Sequence, residues 1–318
     1  AKGPIGKFFS HAALAEMMWR DTYKVSKIEG HPLPWDQRDI EDSISAWETF
    51  SFNQEQTIGD WKWSLLPAGH VPGAAMVKIT TPTKRILWSG DIDDRNTPNV
   101  MGANPTETDI LVMEGTYGGR EHPNRAEEEK RFVSKVKEVV GRGGLAIVPA
   151  FASGRGQDIL RIIHQHAPEL NVHYDGMGKR VTRHWMEHPE FVRDAKDWDT
   201  IWSWVRKVGS KSDRKKALSA DVIVTTSGML KGGPVLWYLN RVRDDPNSAV
   251  LITGYQAEDT GGKMLLETGK IPIYGDIVDI QCEVEKFQLS NHAGHSALVD
   301  FAKETNAKDV ILFHLPEE

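Results

Sequence analysis

Six short runs of aliphatic and β-branched residues recur along the chain, and each is followed by small, polar or charged residues. The runs are Arg85-Ile86-Leu87-Trp88, Ile110-Leu111-Val112-Met113, Leu145-Ala146-Ile147-Val148, Val222-Ile223-Val224, Val250-Leu251-Ile252 and Val310-Ile311-Leu312-Phe313. Short apolar runs with such boundaries are typical of buried strands. We therefore predict a strand at each of them.

Helical patterns lie between several of these strands. Apolar residues recur at helical spacing over residues 125–140, and a second such pattern begins at Gln157. Asn124 is a suitable N-cap for the first helix, three glutamates follow in its first turns, and the glycine-rich residues 141–144 end it. Because strands and helices alternate, the sequence predicts an α/β fold.

The composition is that of a folded protein. Of the 318 residues, 39% are hydrophobic and 26% are charged, which argues against a disordered chain. The apolar stretches are far shorter than the roughly 20 residues that a membrane span requires, and the first residues show no secretory signal. We therefore expect no membrane association and a cytoplasmic location.

The single cysteine, Cys282, limits the possible chemistry. One cysteine excludes an intrachain disulfide and cannot build a thiolate zinc site. Any metal ion must therefore be held by nitrogen and oxygen ligands from His, Asp or Glu.

The net charge of -6 argues mildly against indiscriminate binding to polyanions. One local exception is residues 206–216, where six cations accompany a single acid, Asp213. A charge run is usually only a solvated surface, so both interpretations stay open. Trp198, Trp202 and Trp204 could stack on bases, but their apolar neighbours favour packing.

A His, Asp or Glu stands at or just after a predicted strand end in several stretches. The stretches are Ala68-Gly69-His70, Ser89-Gly90-Asp91, Met113-Glu114-Gly115-Thr116-Tyr117-Gly118, Phe313-His314 and, with two more imidazoles, Leu289-Ser290-Asn291-His292-Ala293-Gly294-His295. Side chains at strand ends can point into a site at the edge of a sheet. Any one of these residues alone is more often packed or solvated than a ligand, but their joint order along the chain favours a shared site.

In this order the stretches resemble the β-CASP branch of the metallo-β-lactamase superfamily, which contains ribonuclease J, the endonuclease subunit of the cleavage and polyadenylation specificity factor and archaeal relatives of that subunit. The resemblance runs essentially from end to end, and within the family we favour the archaeal relatives. Further similar segments are Pro149-Ala150-Phe151-Ala152-Ser153-Gly154-Arg155-Gly156-Gln157, Thr226-Ser227-Gly228-Met229-Leu230 and Gly254-Tyr255-Gln256-Ala257-Glu258.

The resemblance implies a fold of two domains. Residues 1–118 and 286–318 would form a metallo-β-lactamase αββα sandwich, incomplete at the N terminus, and residues 119–285 would form an inserted β-CASP α/β domain. The substrate would then lie in the cleft between the two domains. Homodimerisation is also plausible by resemblance.

The resemblance also implies roles for five residues in a site with two zinc ions. Asp91 is similar to the carboxylate that bridges the ions, His70 would hold one ion and His314 the other. His292 with Glu114 is similar to the pair that protonates the departing sugar oxygen. Two zinc ions about 3.5 to 4 Å apart can hold the attacking water and a phosphate oxygen. The alternative for Glu114 is a purely structural cap or ion pair.

Two loops suit contacts with an RNA backbone. Ser153, Gly154 and Arg155 precede a helical pattern, so free N–H groups, a hydroxyl and a guanidinium could converge on a phosphate. The second candidate loop contains Ser227, Gly228 and Met229. Ordinary strand-to-helix turns that need glycine for positive φ are the alternative for both loops.

These expectations combine into a zinc-dependent ribonuclease that hydrolyses RNA phosphodiester bonds as an endonuclease, a 5'-3' exonuclease, or both. RNA, expected in single-stranded form, would be the partner molecule. The alternative is a non-catalytic RNA-binding or scaffold subunit of an RNA-processing complex. Such a subunit has no need for an acid and base pair, so the joint presence of Glu114, His292, Asp91 and His314 favours the enzyme.

One family motif is absent from the sequence. The His-x-His-x-Asp-His run that should supply most of the remaining ligands does not occur, and the single His-x-His spacing, His164-Gln165-His166, lies in a predicted helix where we expect an exposed pair. We therefore expect the sequence to be truncated before the motif. Because His70, Asp91 and His314 are too few ligands for two zinc ions, we expect this chain to bind metal weakly and to be nearly inactive.

Overall fold

The computed structural model describes residues 5–7 and 9–315, with side chains from residue 14 onward except at residues 28 and 29. The chain forms two compact units. The first comprises Ala1–Arg120, Glu187–Arg193 and His292–Glu318, and the second comprises Glu121–Met186 and Asp194–Asn291. The predicted domain boundaries at residues 118 and 286 stay a prediction, and residues 1–4 and 316–318 of the predicted first domain lie outside the described part.

Sixteen strands and ten α-helices lie in the described residues. The strands are β1 (Ile5–Lys7), β2 (Trp47–Thr49), β3 (Gln56–Ile58), β4 (Trp61–Pro67), β5 (Ala75–Thr80), β6 (Arg85–Trp88), β7 (Ile110–Glu114), β8 (Ala146–Pro149), β9 (Val172–Asp175), β10 (Arg206–Lys207), β11 (Val222–Thr225), β12 (Ala249–Ile252), β13 (Lys270–Ile273), β14 (Asp276–Asp279), β15 (Glu283–Lys286) and β16 (Asp309–Phe313). The helices are α1 (Phe9–Glu29), α2 (Gln37–Ser45), α3 (Arg125–Gly141), α4 (Arg155–His166), α5 (Gly178–Glu187), α6 (Asp197–Trp204), α7 (Lys211–Ala217), α8 (Pro234–Val242), α9 (Gly261–Thr268) and α10 (His295–Glu304).

The six strands predicted from apolar runs are confirmed, with ends that differ by at most one or two residues. They are β6, β7, β8, β11, β12 and β16. The predicted helices are confirmed as α3 and α4, and the side chain of Asn124 caps α3 by accepting from the N–H groups of Ala126 and Glu127 at 3.0 and 3.2 Å. The predicted α/β class is therefore confirmed.

The large sheet of the first unit has the strand order β16-β7-β6-β5-β4-β3. Strands β16, β7 and β6 are parallel to one another, whereas β6, β5, β4 and β3 pair antiparallel. Its core is built from alternating residues such as Leu111 and Met113 of β7, and α10 packs Leu298 and Phe301 into the same cluster. Fully burying side chains of this size stabilises by about 1.5 to 3 kcal/mol each.

The large sheet of the second unit is parallel throughout, in the order β10-β9-β11-β8-β12-β15. Every residue of β8, β9, β11 and β12 is buried. Parallel sheets are covered by helices on both faces, so their strands are continuous apolar runs rather than alternating ones. This explains why the runs at residues 145–148, 222–224 and 250–252 were recognisable in the sequence.

Asp175, at the end of β9, is a buried carboxylate that accepts hydrogen bonds from four other residues of the second unit. Its Oδ2 accepts from Nε of Arg214 at 2.7 Å and from the hydroxyl of Tyr238 at 3.0 Å. Its Oδ1 accepts from the N–H of Gly176 at 2.7 Å and from Nζ of Lys179 at 3.4 Å. Burial raises the pKa of Asp175, but the hydrogen bond and charge of Arg214 outweigh burial, and the net pKa lies below the ordinary value.

Replacing Asp175 by asparagine is expected to lower the free energy of unfolding at neutral pH by about 3 kcal/mol, because the Arg214 cation loses its buried partner. A carboxylate whose folded pKa is depressed stabilises above its unfolded pKa of about 3.9, and this stability is lost as the pH falls through the folded pKa. The difference between the two proteins should therefore shrink below about pH 4. Urea denaturation at a series of pH values measures it.

The matched control is Asp279→Asn, because Asp279 forms an exposed ion pair with Lys270 at 3.5 Å. Its unfolding free energy should change by less than about 1 kcal/mol. A loss of stability in Asp175→Asn that is equally large at acid and neutral pH would contradict the assignment of the effect to the ionised carboxylate.

No helix in the described part of the chain is both long enough and apolar enough to cross a membrane.

Candidate active site

Parallel pairing brings two distant strand ends of the first unit together. In the register of β16 with β7, Phe313 lies opposite Glu114, so His314 follows directly beside the end of β7. Trp88 of β6 lies opposite Val112, which places Asp91 at the same edge of the sheet. Carboxyl ends of parallel strands share one edge, and this edge therefore collects Asp91, Glu114 and His314.

His70 reaches the same edge through the turn after β4. Gly69 has φ of 77° and forms an isolated antiparallel bridge with Ile92. A Cβ atom at Gly69 would clash with the carbonyl oxygen of Asp93, so only glycine lets the two backbones approach this closely. The result is that Nε2 of His70 lies 4.0 Å from Oδ2 of Asp91.

His292 and Glu114 form a close pair. Nδ1 of His292 lies 2.9 and 3.0 Å from the two carboxylate oxygens of Glu114, whose side chain is fully buried. Glu114 also accepts from the N–H of Ile92 at 2.6 Å and from the hydroxyl of Thr116. Nδ1 is the ring nitrogen directed at the carboxylate, and Nε2 is the second ring nitrogen, which can also carry a proton.

The charges of this pair shift both pKa values. Burial lowers the pKa of His292, but the hydrogen bond and charge of Glu114, with further help from the Asp91 and Asp93 carboxylates, raise the net pKa above the ordinary value. Burial raises the pKa of Glu114, but the His292 hydrogen bond and charge, the Thr116 hydroxyl and the Ile92 N–H lower the net value. An ionised Glu114 and a protonated His292 therefore stabilise each other.

Asp91 presents its two oxygens to two different histidines. Oδ2 is the oxygen nearer to His70, and Oδ1 lies 3.2 Å from Nδ1 of His314. The same Nδ1 of His314 lies 3.1 Å from the hydroxyl of Thr116. Two groups of side chains in the described residues could hold a metal ion, and Asp91 belongs to both: His70 with Asp91 and His292, and Asp91 with Glu114 and His314.

The structure adds two residues that we did not single out in the sequence, Asp93 and Arg95. Asp93 is fully buried, and the guanidinium of Arg95 donates to both of its oxygens at 2.8 and 2.7 Å. Nη2 of Arg95 also lies 3.3 Å from the carbonyl oxygen of His292, to which it donates. Arg95 thus ties the loop after Asp91 to the loop that carries His292. The available signal was weak, because residues 93–95 read as an ordinary charged loop.

The first predicted phosphate loop follows β8 in the second unit. Ser153 is half-buried, and Gly154 precedes α4 with φ of 88°. Arg155 is buried, and its Nη1 donates to Asp158 of the same helix at 3.3 Å. That geometry favours a structural role for Arg155, and the contact of these three residues with RNA stays a prediction.

The second predicted phosphate loop follows β11, the strand next to β8. A Cβ atom at Gly228 would lie 2.8 Å from the N atom of Phe151, so the two loops are in close contact at the carboxyl edge of the sheet. Gln256 donates to the carbonyl oxygen of Gly228 at 3.0 Å, whereas Ser227 and Met229 are half-buried. Open α/β sheets bind ligands at this edge, and the role of the loop stays a prediction.

The prediction that His164 and His166 form an exposed pair was wrong in part. Both histidines are half-buried, and the ring of His164 packs edge-on against Trp204 with centroids 5.1 Å apart. The helix α4 turns this side toward α6 rather than toward solvent, because α6 packs against it.

Known proteins are similar to this chain over most of its length. The model of the Beta-Casp domain matches residues 157–265. "Probable RNase MJ4" of Methanocaldococcus jannaschii is 33% identical over 311 residues, covering 95% of this chain and 73% of that protein. "RNase J-like protein" of the same organism is 30% identical over 308 residues, covering 92% and 71%.

A further relative is "RNase aCSPSF2" of Saccharolobus solfataricus, which is 32% identical over 313 residues. That match covers 95% of this chain but 61% of the relative, so the chain spans about three-fifths of its length. The similarity thus includes both units, and the site residues Glu114 and His292 lie inside the matched length. The chain belongs to the β-CASP family of the metallo-β-lactamase superfamily.

Proposed function

We propose that this chain is a metal-dependent ribonuclease that hydrolyses RNA phosphodiester bonds. The observation that carries the proposal is the buried Glu114–His292 pair, with Nδ1 to carboxylate distances of 2.9 and 3.0 Å, beside the metal-ligand groups centred on Asp91. A scaffold needs no such pair. The names of the similar proteins, which describe ribonucleases, support the same function.

Zinc fits the donor atoms that the site offers. Donors around a tetrahedral zinc lie roughly 3.3 Å apart, because Zn–N and Zn–O bonds are about 2.0 to 2.2 Å long. The 3.2 Å separation of His314 from Asp91 is close to this value, and the 4.0 Å separation of His70 from Asp91 needs only a small side-chain movement. Imidazole and carboxylate are the ligands expected in the absence of thiolates, and Cys282 is buried in the second unit.

His70, Asp91 and His314 would hold the metal, which would supply an activated water and neutralise phosphate charge. The two oxygens of Asp91 face different histidines, and this arrangement supports a bridging role between two ions. Three residues are nevertheless few ligands for two ions. We therefore expect this chain alone to bind metal weakly.

His292 is the group that we assign to proton donation. Glu114 accepts a hydrogen bond from the Nδ1–H group of His292, which fixes the ring orientation and favours the charged imidazolium. The Nε2 proton is then available to the sugar oxygen that leaves when the phosphodiester bond breaks. Hydrogen bonds from the Thr116 hydroxyl and the N–H of Ile92 hold the Glu114 carboxylate in place beside His292.

The test is cleavage of a labelled single-stranded RNA by chelator-treated protein to which zinc is returned. Both the 318-residue chain and the protein expressed from the complete gene are assayed, and the zinc bound per chain is measured by elemental analysis. We expect zinc to restore cleavage, and a difference in bound zinc between the two proteins would show whether further ligands lie outside the 318 residues. Binding of RNA without zinc-dependent cleavage in either protein would contradict the proposal and support a non-catalytic RNA-binding subunit.

The mode of cleavage and the oligomeric state are further parts of the proposal. A circular RNA has no 5' end, so its cleavage would identify endonuclease activity, whereas degradation of linear RNA alone would identify 5'-3' exonuclease activity. Homodimerisation is implied by the resemblance, and sedimentation equilibrium would test it.

Arg95 is expected to act as a positioning residue. Replacing Arg95 by lysine keeps a cation but loses the two-pronged contact with Asp93 and the bond to the His292 carbonyl. We expect kcat to fall about 10-fold to 100-fold because the imidazole shifts, while KM stays nearly unchanged. Steady-state kinetics on the zinc-loaded gene product separate the two constants.

The matched control is Arg193→Lys, because Arg193 is exposed and donates to the carbonyl oxygen of Thr97 at 3.3 Å within the same unit. Its kcat and KM should both match those of the unaltered protein. An increase in KM without a change in kcat for Arg95→Lys would show that Arg95 contributes to substrate affinity and not to the position of His292.

A further inference from the structure

A strongly basic segment lies in the second unit of an otherwise acidic chain. Residues 206–216 contain six cations and one acid, whereas the whole chain has a net charge of -6. The segment comprises the edge strand β10, which pairs with β9 alone among the strands of its sheet, and the helix α7. Both residues of β10, Arg206 and Lys207, are exposed, and charged side chains are common on edge strands.

The cations of this segment are exposed and have few acidic partners. The exposed ones are Arg206, Lys207, Lys211, Lys215 and Lys216. Across the part of the chain that the structure describes, none of these five lies within 4.0 Å of a carboxylate oxygen. The sixth cation, Arg214, is paired with the buried Asp175.

The single acid of the segment serves the backbone. The carboxylate of Asp213 accepts from the hydroxyl of Ser210 at 2.8 Å and from the N–H of Gly209 at 3.3 Å, and Ser210 in turn caps α7. Burial and the nearby Arg206 cation lower the pKa of His173, and Asp213 opposes them. Gly209 and Ser210, which join β10 to α7, are thus both bonded to Asp213 of the helix, so the two elements are adjacent and form one surface.

Two tryptophan rings lie among these cations. Nζ of Lys207 is 5.1 Å from the centroid of the Trp202 ring and donates to the Trp202 carbonyl oxygen at 2.7 Å. The guanidinium carbons of Arg241 and Arg214 lie 3.5 and 5.9 Å from the centroid of Trp237. Both rings are half-buried. The predicted packing role is confirmed for Trp198, which is buried, but Trp202 keeps an exposed part.

We propose that this basic–aromatic surface, formed by β10, α7, Trp202 and the exposed side of α8 at Trp237 and Arg241, binds the backbone of single-stranded RNA. The proposal rests on RNA as the substrate of the proposed ribonuclease. It adds a second contact for the RNA, on the second unit, that takes no part in proton transfer or metal binding.

Charge and ring chemistry favour RNA over other anionic partners. Closely spaced lysines neutralise successive phosphates, and release of counterions makes the binding strong at low salt. Aromatic rings beside the cations can stack on bases without regard to sequence. An anionic membrane would instead require large apolar side chains that project beyond the cations. The only apolar residues among residues 206–217 are Val208 and Ala217, and the rings of Trp202 and Trp237 are half-buried beside the cations. Val208 and Ala217 are buried.

The experiment compares the unaltered chain with the triple variant Lys211→Gln, Lys215→Gln, Lys216→Gln. Binding of a fluorescein-labelled single-stranded RNA of about 20 nucleotides is followed by fluorescence anisotropy in EDTA, at salt from about 50 to 200 mM. We expect the variant to bind about tenfold or more weakly at the low salt, and the slope of log affinity against log salt to become shallower by about 2, because each phosphate contact contributes about 0.7 for a single strand.

Two controls separate local charge from net charge. The variant Lys84→Gln, Lys130→Gln, Lys308→Gln removes three exposed lysines elsewhere and should keep nearly full affinity and salt slope. The variant Lys211→Arg, Lys215→Arg, Lys216→Arg keeps the charge and should bind like the unaltered chain. Equal loss of affinity in both glutamine variants would overturn the proposal, because only net charge would then matter.

Two further outcomes would overturn the proposal. One is that the unaltered chain does not bind RNA. The other is that the triple glutamine variant binds RNA normally but loses binding to phosphatidylserine vesicles that the unaltered chain shows. Because EDTA prevents metal-dependent cleavage, the result does not depend on the catalytic assignment. If the chain bound RNA through this surface but never cleaved it, the proposed ribonuclease activity would be wrong and the proposed surface would be supported. If the chain cleaved RNA but its affinity were unaffected by the lysine changes, the activity would be supported and the surface would be wrong.

Discussion

Replacing His292 by asparagine is expected to lower the rate of RNA cleavage by about 10² to 10⁴-fold, the range found when a positioned general acid or base is removed. Asparagine can still accept or donate at the position of Nδ1 beside Glu114, but it cannot deliver a proton to the leaving oxygen. The fold should be preserved, because the His292 side chain is 18% exposed and the substitute is smaller. The measurement is single-turnover cleavage by the zinc-loaded protein expressed from the complete gene.

A chemically altered substrate tests the role of His292 directly. When sulfur replaces the departing sugar oxygen, the leaving group needs little protonation, so His292→Asn should cleave this RNA at nearly the rate of the unaltered protein. Glu114→Gln should behave in the same way, because Glu114 acts through His292.

The matched control is His295→Asn. His295 lies three residues further along, at the start of α10, and is exposed. Its Nδ1 accepts from the N–H of Gly119 at 3.1 Å, a bond that asparagine can replace. This variant should cleave normally. If His292→Asn cleaved ordinary RNA at full rate, another group would have to protonate the leaving oxygen and the proposed role of the pair would be wrong.

Replacing Asp91 by asparagine is expected to weaken zinc binding by at least about 100-fold. Loss of a group that only orients a ligand typically costs 10-fold to 100-fold in affinity, and Asp91 is the residue shared by both candidate ligand groups. An amide loses the negative charge and one of the two acceptor oxygens that face His70 and His314. Isothermal titration with zinc measures the change, and cleavage should fall with it.

Asp94→Asn is the matched control, because Asp94 is exposed, lies three residues away and undergoes the same change of charge. Its zinc affinity should remain within about 2-fold of the unaltered protein, since surface charges act weakly through water. Equal losses in the two variants would mean that the general negative potential of the loop, and not coordination by Asp91, attracts the metal.

Local patterns were enough for six of the sixteen strands in the described residues and for the chemistry-bearing residues near strand ends. The apolar runs predicted β8, β11 and β12 because parallel strands are buried on both faces and contain few polar residues. Strand ends with His, Asp or Glu then indicated a site at a sheet edge. The predicted metal and catalytic residues do lie together in the first unit, although their roles stay predictions.

Long-range pairing was not predictable from these patterns. Glu114 and Phe313 are about 200 residues apart in the sequence, and their juxtaposition follows from the parallel register of β7 with β16. Register depends on the packing of both faces of a sheet, which no local run encodes. For the same reason the buried Asp93 and its partner Arg95 looked like a solvated loop until the fold placed them beside His292.

The sequence by itself determined six of the strands, the helices α3 and α4, the α/β class and the residue types available for catalysis, because side-chain periodicity and chemistry are local properties. The tertiary structure alone decided which of those residues meet. It paired Glu114 with His292, turned the two oxygens of Asp91 toward different histidines and buried Arg155 against Asp158. It also exposed the cations of residues 206–216 on one surface, since burial and distance arise only when remote segments pack.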